Sequence, residues 1–171
     1  MRRSLHSLMI VLLTLATVSA CGEKEGDERE EREERSETAA AQPAGGEKIY
    51  QQRCVTCHQP NGLGTPGVFP PLAGSEYVTA ADPGVPIRVV LHGLQGAITV
   101  SGAEYNSLMP AYGVGIVMSD AEVASVLTYV RTSWGNTASA VTAEDVEHAR
   151  EATKDHIGAM TADLLKPLLK K

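Results

Sequence analysis

Residues 54–58 read Cys-Val-Thr-Cys-His, and no other stretch of the chain restricts its fold as tightly. Two thiols three residues apart fall on one side of a helical turn, where each can add to one vinyl group of the same porphyrin. The histidine that follows then lies beneath the porphyrin iron. The spacing is a geometric demand of the product, so the pentapeptide predicts one covalent haem c held through Cys54 and Cys57, with His58 as an iron ligand. A dithiol redox motif would need a strand–helix context, and Cys54 follows Gly-Gly-Glu-Lys-Ile-Tyr-Gln-Gln-Arg, with no apolar β-branched run. A zinc site would need a second pair of ligands at matching spacing, and Cys57 is the last cysteine.

The first twenty residues read as a processing segment. Arg2 and Arg3 open it, and the apolar stretch Leu8 to Val18 falls short of the roughly twenty residues a spanning helix needs. Val18-Ser19-Ala20-Cys21 is similar to a bacterial lipobox, which makes residues 1–20 a lipoprotein signal peptide and Cys21 the lipidated residue. The three cysteines are then all assigned, one to lipid and two to haem, leaving no stray thiol in an oxidising compartment. Haem c is attached outside the cytoplasmic membrane in bacteria, so both signals require the same place. The expectation is an exported protein, lipid-anchored to a bacterial membrane and facing the periplasm or cell exterior.

Residues 21–44 form a charged tether. Positions 22–44 hold nine acidic and four basic side chains and no large apolar one, so they cannot build a core. Glu25–Arg29, Glu28–Arg32 and Glu31–Arg35 are i,i+4 pairs in the favourable order, which predicts partial helicity in an extended spacer. As coil it spans about 25–30 Å.

Residues 45–136 carry the folded domain and 137–171 a helical extension. The expected elements are a helix from Gly46 to Cys57, a second from Pro83 to His92 stopped by Gly93, and a small hairpin turning at Ser101-Gly102. A capping box, Ser119 to Glu122, opens the longest helix, with Val123, Val126, Leu127 and Val130 on one face. In the extension, Thr142 caps a helix carrying Val146, Ala149, Thr153 and Ile157. A short piece from Ala162 to Lys166 is halted by Pro167. Leu164, Leu165, Leu168 and Leu169 are expected to be exposed, which raises a partner-docking role beside the structural one of covering the domain.

A second axial ligand is expected from the protein. Met109, in a loop of turn residues ahead of Pro110, is the leading candidate, since a neutral thioether favours ferrous iron. Met118, just before the capping box, and His92, at a helix C-terminus, are the alternatives. His148 and His156 are expected to face solvent.

Taken together, residues 45–136 resemble class I cytochrome c, an all-α fold of short helices wrapped around one haem. The resemblance rests on Cys54–His58, on Phe69-Pro70-Pro71-Leu72-Ala73-Gly74, on Met109-Pro110-Ala111-Tyr112, and on Gly46 and Tyr50 facing Tyr129. It implies that the Pro70 carbonyl accepts the Nδ1 proton of His58 and that Met109 and His58 are the axial ligands of the haem iron. The segment Tyr129–Asn136 is similar to the ending of bacterial cytochromes attached to periplasmic dehydrogenases and reductases. One departure is charge: residues 45–136 carry four basic and six acidic side chains, which argues against docking through a ring of lysines. An apolar rim near Val68, Phe69, Ala111 and Tyr112 is the expected contact surface.

The expected function is a membrane-tethered one-electron carrier, not an enzyme, since no acid–base constellation accompanies the haem motif. Its redox partners would be a dehydrogenase or quinol-oxidising complex upstream and a terminal oxidase or reductase downstream; nucleic acid is not a partner. The alternatives are a dedicated cytochrome subunit of one such complex and, less favoured, a haem enzyme or gas sensor in which Met109 dissociates.

Overall fold

The computed structural model describes residues 43–113 and 117–169. The signal segment, Cys21, the tether pairs and Gly115 lie outside the described residues.

The chain is mainly helical, with one two-stranded hairpin, matching the all-α expectation. Helix α1 spans Pro43–Arg53, starting earlier than Gly46 because proline at the first helical position gives up no N–H bond. Cys54 is a turn between α1 and the short helix α2, Val55–His58, so the single helix expected to Cys57 is broken at the first thiol. Helix α3 spans Gly84–His92 and is stopped by Gly93 at φ +73°. Strands β1, Ile98–Val100, and β2, Ala103–Tyr105, pair antiparallel with Ile98 opposite Tyr105. Ser101 and Gly102 both take positive φ, the geometry of a tight hairpin turn.

Helix α4, Asp120–Thr132, opens with the full capping box: Glu122 N–H donates to Ser119 Oγ, and Ser119 N–H donates to the Glu122 carboxylate at 2.8 Å. Its stripe Val123, Val126, Leu127 and Val130 is buried. Helix α1 crosses it at Gly46, where a Cβ would collide with the Ser125 carbonyl and sit 2.8 Å from Tyr129 Cβ. One turn on, Tyr50 meets Tyr129 and Trp134 with ring centroids 5.6 and 5.0 Å away.

Polar groups tie loops to the end of α4. Arg131 is only 1% exposed, yet its guanidinium donates to the carbonyls of Val78 (2.6 Å), Ala80 (3.0 Å) and Ser139 (2.8 Å). Asn136 accepts from Gly74 N–H and donates to the carbonyls of Leu72 and Val130. These bonds satisfy groups that would be costly to bury alone.

The extension folds back on the domain. Helix α5, Ala143–Ala152, carries a capping box from Thr142 to Asp145, and α6 spans Ala162–Leu165. Two expectations need correction. Ile157 lies beyond the end of α5 and is 95% exposed, because Thr153 ends the helix, its Oγ1 donating to Ala149 O. Leu165 is fully buried, Leu168 and Leu169 are half-buried, and of the four leucines only Leu164 is exposed. Apart from Ile157 and Leu164, the large apolar side chains of the extension are buried or half-buried against its own domain. Arg150 pairs with Asp120 at 2.5 Å and donates to Met118 O.

His156 is a third correction. Its ring packs edge-on to His92 with centroids 5.0 Å apart, and its Nε2 is buried without a hydrogen-bond partner among the described residues. His148, by contrast, is exposed. Since Thr153 spends its hydroxyl proton on Ala149, it accepts from His92 Nε2 at 2.8 Å. Burial, then the neighbouring His156, Arg150 and Arg88, hold the His92 pKa below its ordinary value, so the helix-end position does not favour the charged form here.

Two outcomes are expected. Arg131→Ala strands two buried carbonyls, those of Val78 and Ala80, and removes the part-buried bond to Ser139 O, and should cost about 3 kcal/mol, read from the urea midpoint of the holoprotein; a loss under about 1 kcal/mol would contradict the account. With its folded pKa depressed, His92 binds a proton more readily in the unfolded chain. The stability it carries is therefore whole above about pH 6.5 and drains as pH falls from there toward the folded value. His92→Gln should flatten the urea-midpoint profile between about pH 7 and pH 5, whereas a variant profile parallel to the parent's counts against it.

Candidate functional site

The turn at Cys54 aims the pentapeptide. Its N–H still donates to Tyr50 O at 2.9 Å, and its carbonyl accepts from Cys57 N–H and His58 N–H at 3.2 and 3.0 Å, so the two thiols and the imidazole share one tight turn. Both cysteines are half-buried. Burial, then the nearby Cys57, pushes the Cys54 thiol up to about 11. A nucleophilic dithiol needs the opposite shift, so the burial of Cys54 does not favour a redox-exchange role.

His58 is 8% exposed, and its Nδ1 lies 3.0 Å from the Pro70 carbonyl. A carbonyl only accepts, so Nδ1 carries the proton and Nε2 is left with the lone pair. Burial lowers the His58 pKa, with the Pro70 bond working against it, which keeps the ring neutral. Pro70 is held in place by a compact loop: Gly64 N–H donates to His58 O, Thr65 and Phe69 bridge, and Trp134 Nε1 donates to Pro60 O.

Met109 follows β2 in extended backbone. Its N–H donates to Leu94 O at 2.9 Å and its carbonyl accepts from Leu94 N–H at 3.1 Å. Beyond Pro110, Tyr112 N–H and Gly113 N–H donate to the carbonyls of Val90 and Leu91, while Tyr112 Oη donates to Arg53 O at 3.0 Å. The methionine loop is thus pinned to the end of α3 on one side and to the end of α1 on the other. A Cβ on Gly93 would strike Met109 O, which explains glycine there beyond its role as a helix stop.

These segments meet around one cleft of about 820 Å³ lined almost wholly by apolar atoms, among them Leu72, Val90, Leu94, Ile98, Leu127 and Val130. An overlapping recess of about 630 Å³ adds Cys57 and Phe69. Cys54, His58, Pro70 and Met109 line both. Apolar walls, two thiols on one helical turn and a neutral imidazole suit a flat apolar macrocycle carrying iron. Met118 lines the larger cleft only and is 3% exposed, packed with Val123, Val126 and Leu127. His92 lines neither; its ring is turned to Thr153 and His156.

Several lining residues escaped sequence reasoning. Ile98 and Val100 belong to an apolar alternation in β1, a readable signal, but nothing in the sequence says which face meets the cleft. Leu94 and the hydroxyl of Tyr112 had no local signal. Among the described residues no group of three or more His, Cys, Asp or Glu is placed to hold a metal ion, and no helix is long and apolar enough to cross a membrane.

Comparison with known proteins agrees with this geometry. The family model described as Cytochrome c matches residues 43–134. Cytochrome c-552 of Thermus thermophilus is 42% identical over 131 residues, covering 75% of this chain and 82% of the relative. The cytochrome c subunit of a quinone-dependent alcohol dehydrogenase from Gluconacetobacter polyoxogenes is 36% identical over 108 residues, 62% of this chain but 22% of that subunit. The fructose dehydrogenase cytochrome subunit of Gluconobacter japonicus is 28% identical over 113 residues, again 22% of its length. The chain belongs to the cytochrome c family, as a class I electron carrier with covalently attached haem c.

Proposed function

We propose that this chain is a one-electron carrier tethered to a bacterial membrane through lipid on Cys21, with its haem domain facing the periplasm or cell exterior. Cys54 and Cys57 would hold the haem through thioether bonds, and His58 and Met109 would ligate its iron. Residues 1–20 are removed, 21–44 form the tether, 45–136 the haem domain and 137–171 an extension that covers it. The observation that carries the reading is the joint placement of His58 and Met109 on both recesses of one apolar cleft, His58 oriented through its Nδ1 by the Pro70 carbonyl and Met109 by its backbone bonds to Leu94.

Haem c supplies a one-electron couple at its iron. The chain's part is to keep that couple rigid and at a raised potential. Pro70 fixes the imidazole orientation and makes His58 a better donor. The Met109 thioether, being neutral and soft, and the apolar walls both disfavour the more highly charged ferric state. With His58 and Met109 both ligating the iron, no position would be left for a substrate, in keeping with electron transfer and not catalysis. Of the expected contact rim, Val68 is exposed and Phe69, Ala111 and Tyr112 are half-buried, and Leu63 and Leu108 are further exposed apolar side chains; such contacts let a partner approach without a lysine ring.

A second reading, a dedicated cytochrome subunit of one dehydrogenase, oxidase or reductase, is favoured by the likeness to dehydrogenase cytochrome subunits, although the chain spans only about a fifth to a quarter of their length. Co-purification with one complex after detergent extraction supports the subunit; turnover of a purified oxidase or dehydrogenase by freely added monomer supports the carrier.

Met109→Ala should abolish the weak near-infrared charge-transfer band of Fe–S(Met) coordination and lower the reduction potential, with the haem still attached. Persistence of the band would transfer the role to Met118. Cys21→Ser should move the protein from the membrane to the soluble fraction of cells while leaving its visible spectrum unchanged; a membrane-bound variant would rule out the lipid anchor.

A further inference from the structure

The extension touches the methionine loop through a single intervening strip of backbone. Gly93–Leu94–Gln95 runs between two segments. On one side Leu94 exchanges both backbone bonds with Met109. On the other, Gln95 N–H donates to Met160 O at 2.9 Å and Met160 N–H donates to Gly93 O at 3.0 Å, so Leu94 and Met160 form a parallel bridge. The three segments make a sheet one residue wide, with the strip in the middle.

Side chains bind the same three segments. Leu94, Met160, Ala162 and Leu165 are buried in one cluster, and Met109 packs against it. Contact between strip and loop is close enough that Gly93 has no room for a Cβ beside Met109 O, with Ala111 N 3.0 Å away. Upstream of Met160, the extension is fastened beside the C-terminus of α3 by His92 to Thr153, and to the start of α4 by Arg150 to Asp120. The strip is therefore held on both edges, and it cannot follow the methionine loop outward without parting from Met160.

We propose that residues 153–165 are a positioning element for Met109: the Met160 bridge clamps the Gly93–Gln95 strip, and the clamped strip sets how readily Met109 leaves the iron. This rests on the reading of Met109 as axial ligand. A loop that opens through breaking two bonds to a fixed strip opens less often than one whose strip can move with it, because local opening follows the stability of the unit that must come apart.

Imidazole binding to the ferric holoprotein measures this, since imidazole must displace the sixth ligand. Met160→Pro removes the N–H that bonds Gly93 and should tighten apparent imidazole binding about tenfold, while the charge-transfer band is lost at a pH about one unit lower. Met160→Leu keeps the N–H and the bulk and should behave as the parent. Leu165→Ala, which unseats the cluster and leaves the bridge chemically intact, should move both readings the same way by a smaller factor, and it carries the test if the proline variant yields no holoprotein. Imidazole affinities of the available variants within about twofold of the parent, with lowered urea midpoints, would mean the extension only stabilises the fold, and the proposal fails. The prior reading fails separately: Met109→Ala that binds imidazole no more tightly than the parent removes Met109 as ligand.

Discussion

The close crossing of α1 and α4 is the contact on which the other features rest. Backbone approaches backbone at Gly46 because there is no side chain between them, and Tyr50, Tyr129 and Trp134 fill the space one turn further on. That crossing sets where α1 ends. The end of α1 in turn aims the Cys54–His58 turn at a cleft whose far lining, Val126, Leu127 and Val130, comes from the same α4 stripe. One steric fact at a glycine thus couples the attachment turn to the wall it faces.

Around this crossing the chain is held by polar groups that reach across long sequence separations. Arg131 gathers the Val78–Ala80 loop and Ser139, Asn136 gathers Leu72 and Gly74, and Tyr112 reaches Arg53. Each bonds a main-chain group of a loop or, for Arg53, of a helix end. A small domain with few aromatics and a broad apolar cleft has little side-chain core to spare, and such bonds hold loops that hydrophobic packing alone would leave slack. The extension continues the pattern, bonding to the strip behind Met109 through Met160 and to α4 through Arg150.

Local signals in the sequence were read well where the physics is local. The capping boxes at Ser119 and Thr142, the Gly93 stop and the Ser101-Gly102 turn depend on residues within four positions of one another, and each appears in the structure as spacing and side-chain chemistry dictate. The misjudged positions are those decided by distant partners. Ile157 continued a helical stripe on paper, but Thr153 closes the helix first, engaged by His92 sixty-one residues away. His156 looked like a solvent-facing tail residue until the fold placed His92 beside it. Nothing in the segment around Leu165 names Leu94 and Met160 as the cluster that buries it.

The sequence by itself determined the haem chemistry, because attachment at two thiols and a neighbouring imidazole is a demand on five consecutive residues. It also determined the family, chiefly through motifs that are short and contiguous. What only the tertiary structure decided is how the rest of the chain addresses that site. It brings Met109 to the cleft beside His58, turns His92 away, buries Met118 in the α4 core, and sets Met160 of the extension against the strip that holds the methionine loop. Those choices depend on which segments share a backbone edge or a buried cluster, and pairing across fifty residues or more leaves no periodicity in the sequence to read.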